Sequence, residues 1–109
     1  MLFRSGLDNV EQIAAVDGID VLWIGHFDLS NFMGIPGRFD DPLFEEAMRR
    51  IAQAARRHGK AAGIMASDQA WIERSRQMGY TMIAAGTDMG LFGSALAQLL
   101  AHARDEGTR

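Results

Sequence analysis

Three short apolar runs, each bounded by turn residues, stand out along the chain. They cover residues 21–25, 61–65 and 81–85, and none of them alternates apolar with polar positions. Continuous apolarity is typical of strands that are covered on both faces, which occur mainly in parallel sheets. The pattern therefore predicts three buried parallel strands.

Patterns with helical periodicity lie before, between and after these strands. The clearest covers residues 42–58, where Phe44, Met48 and Ile51 recur on one stripe. Asp41 can cap its first turn, and Gly59 can form the left-handed exit. Three further helices are predicted at residues 8–15, 68–78 and 89–104, the last with an inward stripe of Phe92, Ala95, Leu96, Leu99 and Ala103.

The predicted order alternates three strands with four helices. Such alternation implies right-handed crossovers and a parallel sheet, and no linker divides residues 1–109, so we expect a single α/β domain. A complete (β/α)8 barrel needs roughly 250 residues, so a barrel would be only partly present in this sequence. Residues 1–6 carry no pattern that predicts an element.

The composition narrows the classes of function. A formal net charge of -3 and a pI near 5.5 argue against nucleic-acid binding. The sequence has no cysteine, which removes disulfides, thiolate metal sites and cysteine nucleophiles and suits a reducing cytoplasm. No apolar run approaches the roughly 20 residues that cross a bilayer. We therefore expect a cytoplasmic protein that binds neither nucleic acid nor membrane.

An aspartate follows each predicted strand, at Asp28, Asp68 and Asp88. The ends of parallel strands share one edge, where the active sites of α/β sheets and barrels form. Asp68 and Asp88 lead directly into helical patterns, which favours helix capping or a loop role for both. Asp28 precedes a segment with three helix breakers and no long periodic face, so we interpret Asp28 as a functional residue.

A carboxylate at such a position suits a hard divalent cation, which prefers oxygen ligands. One aspartate is not enough to hold the ion, so a second ligand from another strand or subunit is expected. His26 would point to the same side as Asp28 if the strand continued, which leaves a base or ligand role open. A packed, hydrogen-bonded structural histidine is the favoured interpretation of His26.

Other residues with chemical potential have simpler explanations. His58 falls at a helix C-terminus, where it compensates the helix dipole, and His102 falls on a solvated helical turn. The glycines form none of the known phosphate-binding patterns, which disfavours nucleotide binding. Trp23, Trp71 and the seven methionines occupy strand or helix-face positions, and we predict that they pack in the core.

Several separate runs follow one another in a recognisable order. They are Leu7-Asp8-Asn9-Val10-Glu11-Gln12-Ile13, Ile24-Gly25-His26-Phe27-Asp28-Leu29-Ser30, Met33-Gly34-Ile35-Pro36-Gly37, Gly59-Lys60-Ala61-Ala62-Gly63-Ile64 and Gly86-Thr87-Asp88-Met89-Gly90-Leu91. On these runs the sequence resembles the HpcH/HpaI aldolase family, which is related to the citrate lyase β-subunit. The resemblance covers residues 7 to 100, and a series of motifs in order is more specific than any single one.

The resemblance implies a partial TIM barrel, the C-terminal half of a (β/α)8 fold. It also implies a class II aldolase, a carbon-carbon lyase that cleaves a 2-keto acid to pyruvate and an aldehyde. The Asp of the family's Asp-Leu-Ser motif binds a divalent metal that stabilises the developing enolate, and it maps onto Asp28. The metal is expected to be Mg²⁺ or Mn²⁺, with Co²⁺ as a further candidate. Backbone amides at Phe27 and Asp28 map onto those that bind the pyruvate carboxylate.

The sequence also departs from the family pattern. His26 stands where members often have proline, so no role is transferred to it. The family's second metal ligand, a glutamate before the first helix, has no counterpart in residues 1–6, and Glu11 lies within the helix and does not replace it. The catalytic histidine and the pyruvate-binding arginine come from earlier segments that this sequence does not contain.

We therefore assign no catalytic residue. We expect an inactive isolated chain, a fragment with residues 1–6 as an unrelated leader, and a homo-oligomer. The alternative is a non-catalytic half-barrel that self-associates through uncovered sheet edges. A third interpretation, an unrelated α/β binding protein, would require the ordered motifs to be coincidence.

Overall fold

The computed structural model describes residues 4–106, which form a three-stranded parallel sheet flanked by helices. The strands are β1 (Val21–Ile24), β2 (Ala61–Met65) and β3 (Met82–Ala84), with β2 in the middle. Their register pairs Trp23 with Gly63 and Gly63 with Met82. The helices are α1 (Arg4–Asp8), α2 (Val10–Ala14), α3 (His26–Phe32), α4 (Pro42–Arg57), α5 (Gln69–Met78) and α6 (Asp88–Glu106). The predicted alternation of parallel strands with helices is confirmed.

Within residues 4–106 there are six helices rather than the four predicted. The helix predicted at residues 8–15 is the shorter α2, and α1 precedes it as an additional helix. The two helices meet at Asn9, whose side-chain amide donates to the Ser5 carbonyl at 2.8 Å. The other additional helix is α3, which lies directly after β1. Residues 4–6 of the expected leader belong to α1, and residues 1–3 lie outside the described part of the chain.

Helix α4 covers one face of the sheet. Its ends are as predicted, because Asp41 accepts a hydrogen bond from the Leu43 N–H at 3.0 Å and Gly59 adopts a φ of 67°. Each large side chain that α4 buries stabilises the fold by about 1.5–3 kcal/mol. The core that forms between helix and sheet includes Phe44, Met48 and Ile51 from α4 and Leu22, Ile24 and Ile64 from the strands.

The opposite face of the sheet is uncovered in the described part of the chain. Side chains alternate between the two faces along a strand, and this face carries Trp23, Met65 and Met82. They are 37%, 39% and 49% exposed, respectively. The prediction that these three residues pack in the core is wrong, because more than a third of each residue is exposed to solvent.

Helix α6 is exposed over residues 88–104. The predicted inward stripe on residues 92–103 therefore has no partner among residues 4–106, and the prediction of burial is wrong there and for Met89. Core packing is confirmed for Met48 and Met78, whereas Met33 and Trp71 pack partly buried against the core. Met1 lies outside the described residues. None of the helices in residues 4–106, α6 included, is long and apolar enough to cross a membrane.

Candidate active site at the strand ends

The three parallel strands end at a common edge, and α3 begins immediately after the first of them. Gly25 is its N-cap residue, and Leu29 donates the first helical hydrogen bond to the Gly25 carbonyl at 2.9 Å. Ser30 is fully buried and fixes the helix to the chain that follows. Its hydroxyl donates to the Phe27 carbonyl at 2.8 Å and accepts from the Gly37 N–H at 3.0 Å.

Asp28 lies in the first turn of α3, four residues beyond the end of β1, and its side chain is partly buried. The segment that was predicted to have no long periodic face thus begins within a helix of seven residues. Asp28 does not cap this helix, because Gly25 holds the N-cap position. The first turn of a helix nevertheless favours a carboxylate, since the helix dipole is positive there.

His26 and Asp28 do not lie on the same side of the chain. The prediction that they do assumed an extended strand end, but both residues belong to α3. At 3.6 residues per turn, side chains two positions apart point about 200° apart around the helix axis. Any catalytic partnership between the imidazole and this carboxylate is disfavoured by that geometry.

The His26 ring packs among other aromatic rings. Ring centroids lie 4.7 Å away at Phe27, 5.3 Å at Phe39 and 5.9 Å at Trp71. Burial lowers the pKa of His26 below its ordinary value, so the ring is neutral near pH 7. The predicted packing of His26 is therefore confirmed. Its contacts with described residues are ring contacts, and none of them is a hydrogen bond.

The other two aspartates at the strand ends have structural roles. Asp68 caps α5 as predicted, since its carboxylate accepts from the Trp71 N–H at 2.8 Å. At the start of α6, the hydroxyl of Thr87 accepts from the Gly90 N–H at 3.1 Å, and Asp88 accepts from the neighbouring Met89 N–H at 2.8 Å. Thr87 thus takes the capping role that was one of the two roles expected for Asp88.

The residues set aside as structural lie away from this edge. His58 follows α4, where its Nε2 is 3.1 Å from a carboxylate oxygen of Glu11, and Arg57 forms an ion pair with the same glutamate. Glu11 therefore links α2 to the C-terminal end of α4 through these two polar contacts. His102 lies on the exposed part of α6.

Sequence reasoning missed a cleft at the strand-end edge, between α3 and the start of α5. Its volume is about 450 Å³, and its lining includes His26, Phe27, Phe39, Ser67, Trp71 and Arg74. Arg74 donates to the Asp40 carboxylate and to the Phe39 carbonyl, each at 2.8 Å, and its guanidinium lies 5.3 Å from the Trp71 ring centroid. The spacing of Trp71 and Arg74 is the sequence feature that could have indicated this cleft, because residues three apart on a helix share a face.

Comparison with known proteins identifies the family. The profile of the HpcH/HpaI aldolase/citrate lyase family matches residues 4–95. The chain belongs to this family. The 5-keto-4-deoxy-D-glucarate aldolase of Klebsiella pneumoniae subsp. pneumoniae is 38% identical over 96 residues, which are 88% of this chain and 38% of that protein. The enzyme of the same name from Enterobacter sp. is 39% identical over 96 residues, with the same coverage of both chains.

Solved structures show the same relationship. A HpcH/HpaI aldolase/citrate lyase family protein from Burkholderia cenocepacia superposes with a TM-score of 0.87 at 36% identity, over 94% of this chain and 40% of that one. Macrophomate synthase superposes with a TM-score of 0.79 at 28% identity, over 97% of this chain and 37% of that one. The predicted fold, part of a (β/α) barrel, is confirmed. The chain spans about two fifths of the length of the relatives that it matches.

The resemblance also implies a divalent metal, and the described residues meet that requirement only in part. No group of three or more His, Cys, Asp or Glu residues in residues 4–106 is arranged to hold a metal ion. Asp28 offers one carboxylate at the expected edge, and Asp68 and Asp88 are engaged at helix ends. One carboxylate is too few for a divalent cation. The described residues therefore do not form a complete metal site by themselves.

Proposed function

We propose that this chain forms part of a class II aldolase that cleaves a 2-keto acid to pyruvate and an aldehyde, with Asp28 as one ligand of a divalent metal. The observation that carries the proposal is the position of Asp28, on a short helix fixed by Ser30 at the ends of parallel strands. The family match includes this segment. The remaining metal ligands would have to come from outside residues 4–106 or from another chain.

The start of α3 also supports the proposed contact with the substrate. The first N–H group of α3 that donates to a helical acceptor is that of Leu29. The amides of Phe27 and Asp28 precede it, at helix positions whose N–H groups have no acceptor within the helix. We propose that these two amides donate to the carboxylate of the 2-keto acid. The family relatives named above, 5-keto-4-deoxy-D-glucarate aldolases, suggest a sugar-acid substrate.

A titration with Mn²⁺ tests the metal ligand, with binding followed by calorimetry or by the electron paramagnetic resonance signal of the free ion. We expect the full chain to bind Mn²⁺ weakly, because it offers one carboxylate where a complete site has several ligands. Asp28→Ala should abolish it. Asp20→Ala is the matched control, because Asp20 is exposed and directly precedes β1, at the other end of the same strand. Tight binding that survives Asp28→Ala would contradict the assignment.

The uncovered sheet face and the exposed α6 favour a second candidate, a non-catalytic protein that self-associates. Pyruvate release from a 4-hydroxy-2-keto acid, the Mn²⁺ titration and sedimentation together separate the two candidates. Pyruvate that disappears with Asp28→Ala supports the aldolase, and so does Mn²⁺ binding at Asp28 without pyruvate release, because the other ligands are expected from outside residues 4–106. Oligomers in sedimentation that bind no Mn²⁺ at Asp28 support the second candidate.

A further inference from the structure

The cleft between α3 and α5 has the size and lining of a small-molecule site. Ligand pockets in proteins typically have volumes of roughly 300–1,000 Å³ and combine aromatic walls with a few polar groups. This cleft, at about 450 Å³, lies within that range. It is separate from the Asp28 carboxylate, which is not part of its lining.

The aromatic rings of the cleft are arranged to contact a further ring. Phe27 meets Phe39 edge to face, with 5.0 Å between centroids and 85° between planes, and Phe39 lies 5.9 Å from Trp71. Phe27 is nevertheless 60% exposed, so much of its ring remains open. Tilted and edge-to-face contacts are the geometry that aromatic pairs prefer, and an incoming ring could complete them.

The charges of the cleft disfavour an anion. Arg74 is the cation among the lining residues, and it already contacts Asp40, the Phe39 carbonyl and Glu45. Asp40 and Asp68 both line the cleft, so two carboxylates lie beside a guanidinium that already contacts three acceptors. An anionic ligand would meet this excess of negative charge without a free cation to offset it.

Ser67 offers an available hydroxyl in the lining, to which the His26 ring also belongs. The hydroxyl of Ser67 makes no hydrogen bond with any residue in the described part of the chain, and Ser67 is exposed to the cleft. A hydroxyl can both donate and accept a hydrogen bond. We propose that this cleft binds an uncharged aromatic molecule whose hydroxyl or carbonyl group is hydrogen-bonded by Ser67. The proposal requires neither a metal nor Asp28.

Fluorescence of Trp71 provides the assay. The chain has two tryptophans, and Trp23→Phe leaves Trp71, in the cleft wall, as the single reporter. In this background we expect benzyl alcohol to change the fluorescence saturably. Benzoate has the same ring with a negative charge, and we expect it to bind at least about tenfold more weakly, the ratio that corresponds to 1.4 kcal/mol. Absence of saturation with benzyl alcohol, or equal affinity for benzoate, would overturn the proposal.

Variants locate the binding. Phe27→Ala should weaken benzyl alcohol binding about two- to tenfold, the range expected for one lost aromatic contact. Phe92→Ala is the matched control, since Phe92 is 72% exposed on α6, outside the cleft, and it should leave the affinity unchanged. Ser67→Ala should weaken the binding of benzyl alcohol but not of toluene. An affinity for benzyl alcohol that neither Phe27→Ala nor Ser67→Ala changes would place the ligand elsewhere.

The same titration distinguishes this proposal from the metal site. Asp28→Ala should retain benzyl alcohol binding even though it loses Mn²⁺. If Asp28→Ala abolishes both while its circular dichroism is unchanged, the cleft is not an independent site and the proposal fails. If Asp28→Ala loses Mn²⁺ binding and keeps benzyl alcohol binding, the result agrees with both proposals. If Mn²⁺ binding does not depend on Asp28, only the metal-ligand proposal fails, because the benzyl alcohol titration does not depend on it.

Discussion

Replacing Gly63 with alanine tests how closely the uncovered face of the sheet is packed. Gly63 lies on β2 and pairs with Trp23 of β1. A Cβ atom at Gly63 would come within 2.6 Å of Cε3 of Trp23 and within 3.0 Å of Cγ1 of Val21. The first of these distances is far below an ordinary carbon-carbon contact of about 3.5–4.0 Å. Alanine therefore cannot be accommodated unless the indole moves.

The expected cost follows from two opposing effects. Adding a methyl group to a packed position typically costs about 1–3 kcal/mol, because neighbouring side chains must leave their preferred conformations. Removing a glycine recovers about 0.4–1 kcal/mol, because the unfolded chain loses conformational freedom. Trp23 is 37% exposed and can turn partly into the open space, which limits the clash. We expect Gly63→Ala to lower the free energy of unfolding by about 1–2 kcal/mol.

Urea denaturation followed by circular dichroism measures this difference. Gly93→Ala is the matched control, because a Cβ at Gly93 would meet nothing within 4 Å and α6 should gain helix propensity. In a Trp23→Ala background, the cost of Gly63→Ala should largely disappear, since its main obstacle is gone. A Gly63→Ala protein as stable as wild type, or a cost that Trp23→Ala leaves unchanged, would refute the reasoning.

Three further predictions concern two buried hydroxyl groups. The Ser75 hydroxyl is buried without a hydrogen-bond partner in the described part of the chain, so Ser75→Ala should raise the free energy of unfolding by about 1 kcal/mol; a loss in urea denaturation would contradict this. Tyr80 donates to the Met48 carbonyl at 3.0 Å, so Tyr80→Phe should cost about 1 kcal/mol. Burial raises the pKa of Tyr80. Above about pH 10 the unfolded chain therefore loses the tyrosine proton while the folded chain keeps it, and wild-type stability should fall with rising pH. Between pH 9 and 11, the urea midpoint of Tyr80→Phe should fall less than that of the wild-type protein. An equal fall of the two midpoints with pH would show that another group is responsible.

The strands and α4 could be predicted because their signals are local. The cap at Asp41, the apolar stripe of α4 and the exit at Gly59 all lie within the segment that they define. The three apolar runs likewise contain β1, β2 and β3 almost to the residue. Where propensity, periodicity and capping agree, the sequence alone determines the element.

Helix α3 could not be predicted in the same way. Its seven residues are too few for helical propensity to stabilise it in isolation, and Gly34, Pro36 and Gly37 follow closely. Contacts made only after folding hold it, namely the burial of Leu29 and the two hydrogen bonds of Ser30. The apolar stripe on α6 could be predicted, but its packing partner could not. Periodicity predicts that an apolar face needs a partner, and it does not indicate which element provides it.

The unpredicted helix determines which site each of its residues can join. In an extended chain, His26 and Asp28 would share one side and Phe27 would face the other. In α3, successive side chains turn by about 100°, so His26 and Phe27 are the neighbours that line the cleft while Asp28 is directed away. The proposed metal ligand and the proposed ring-binding wall thus come from three consecutive residues on different sides of one short helix. A substitution that changed Ser30, which anchors this helix, should therefore disturb both sites together.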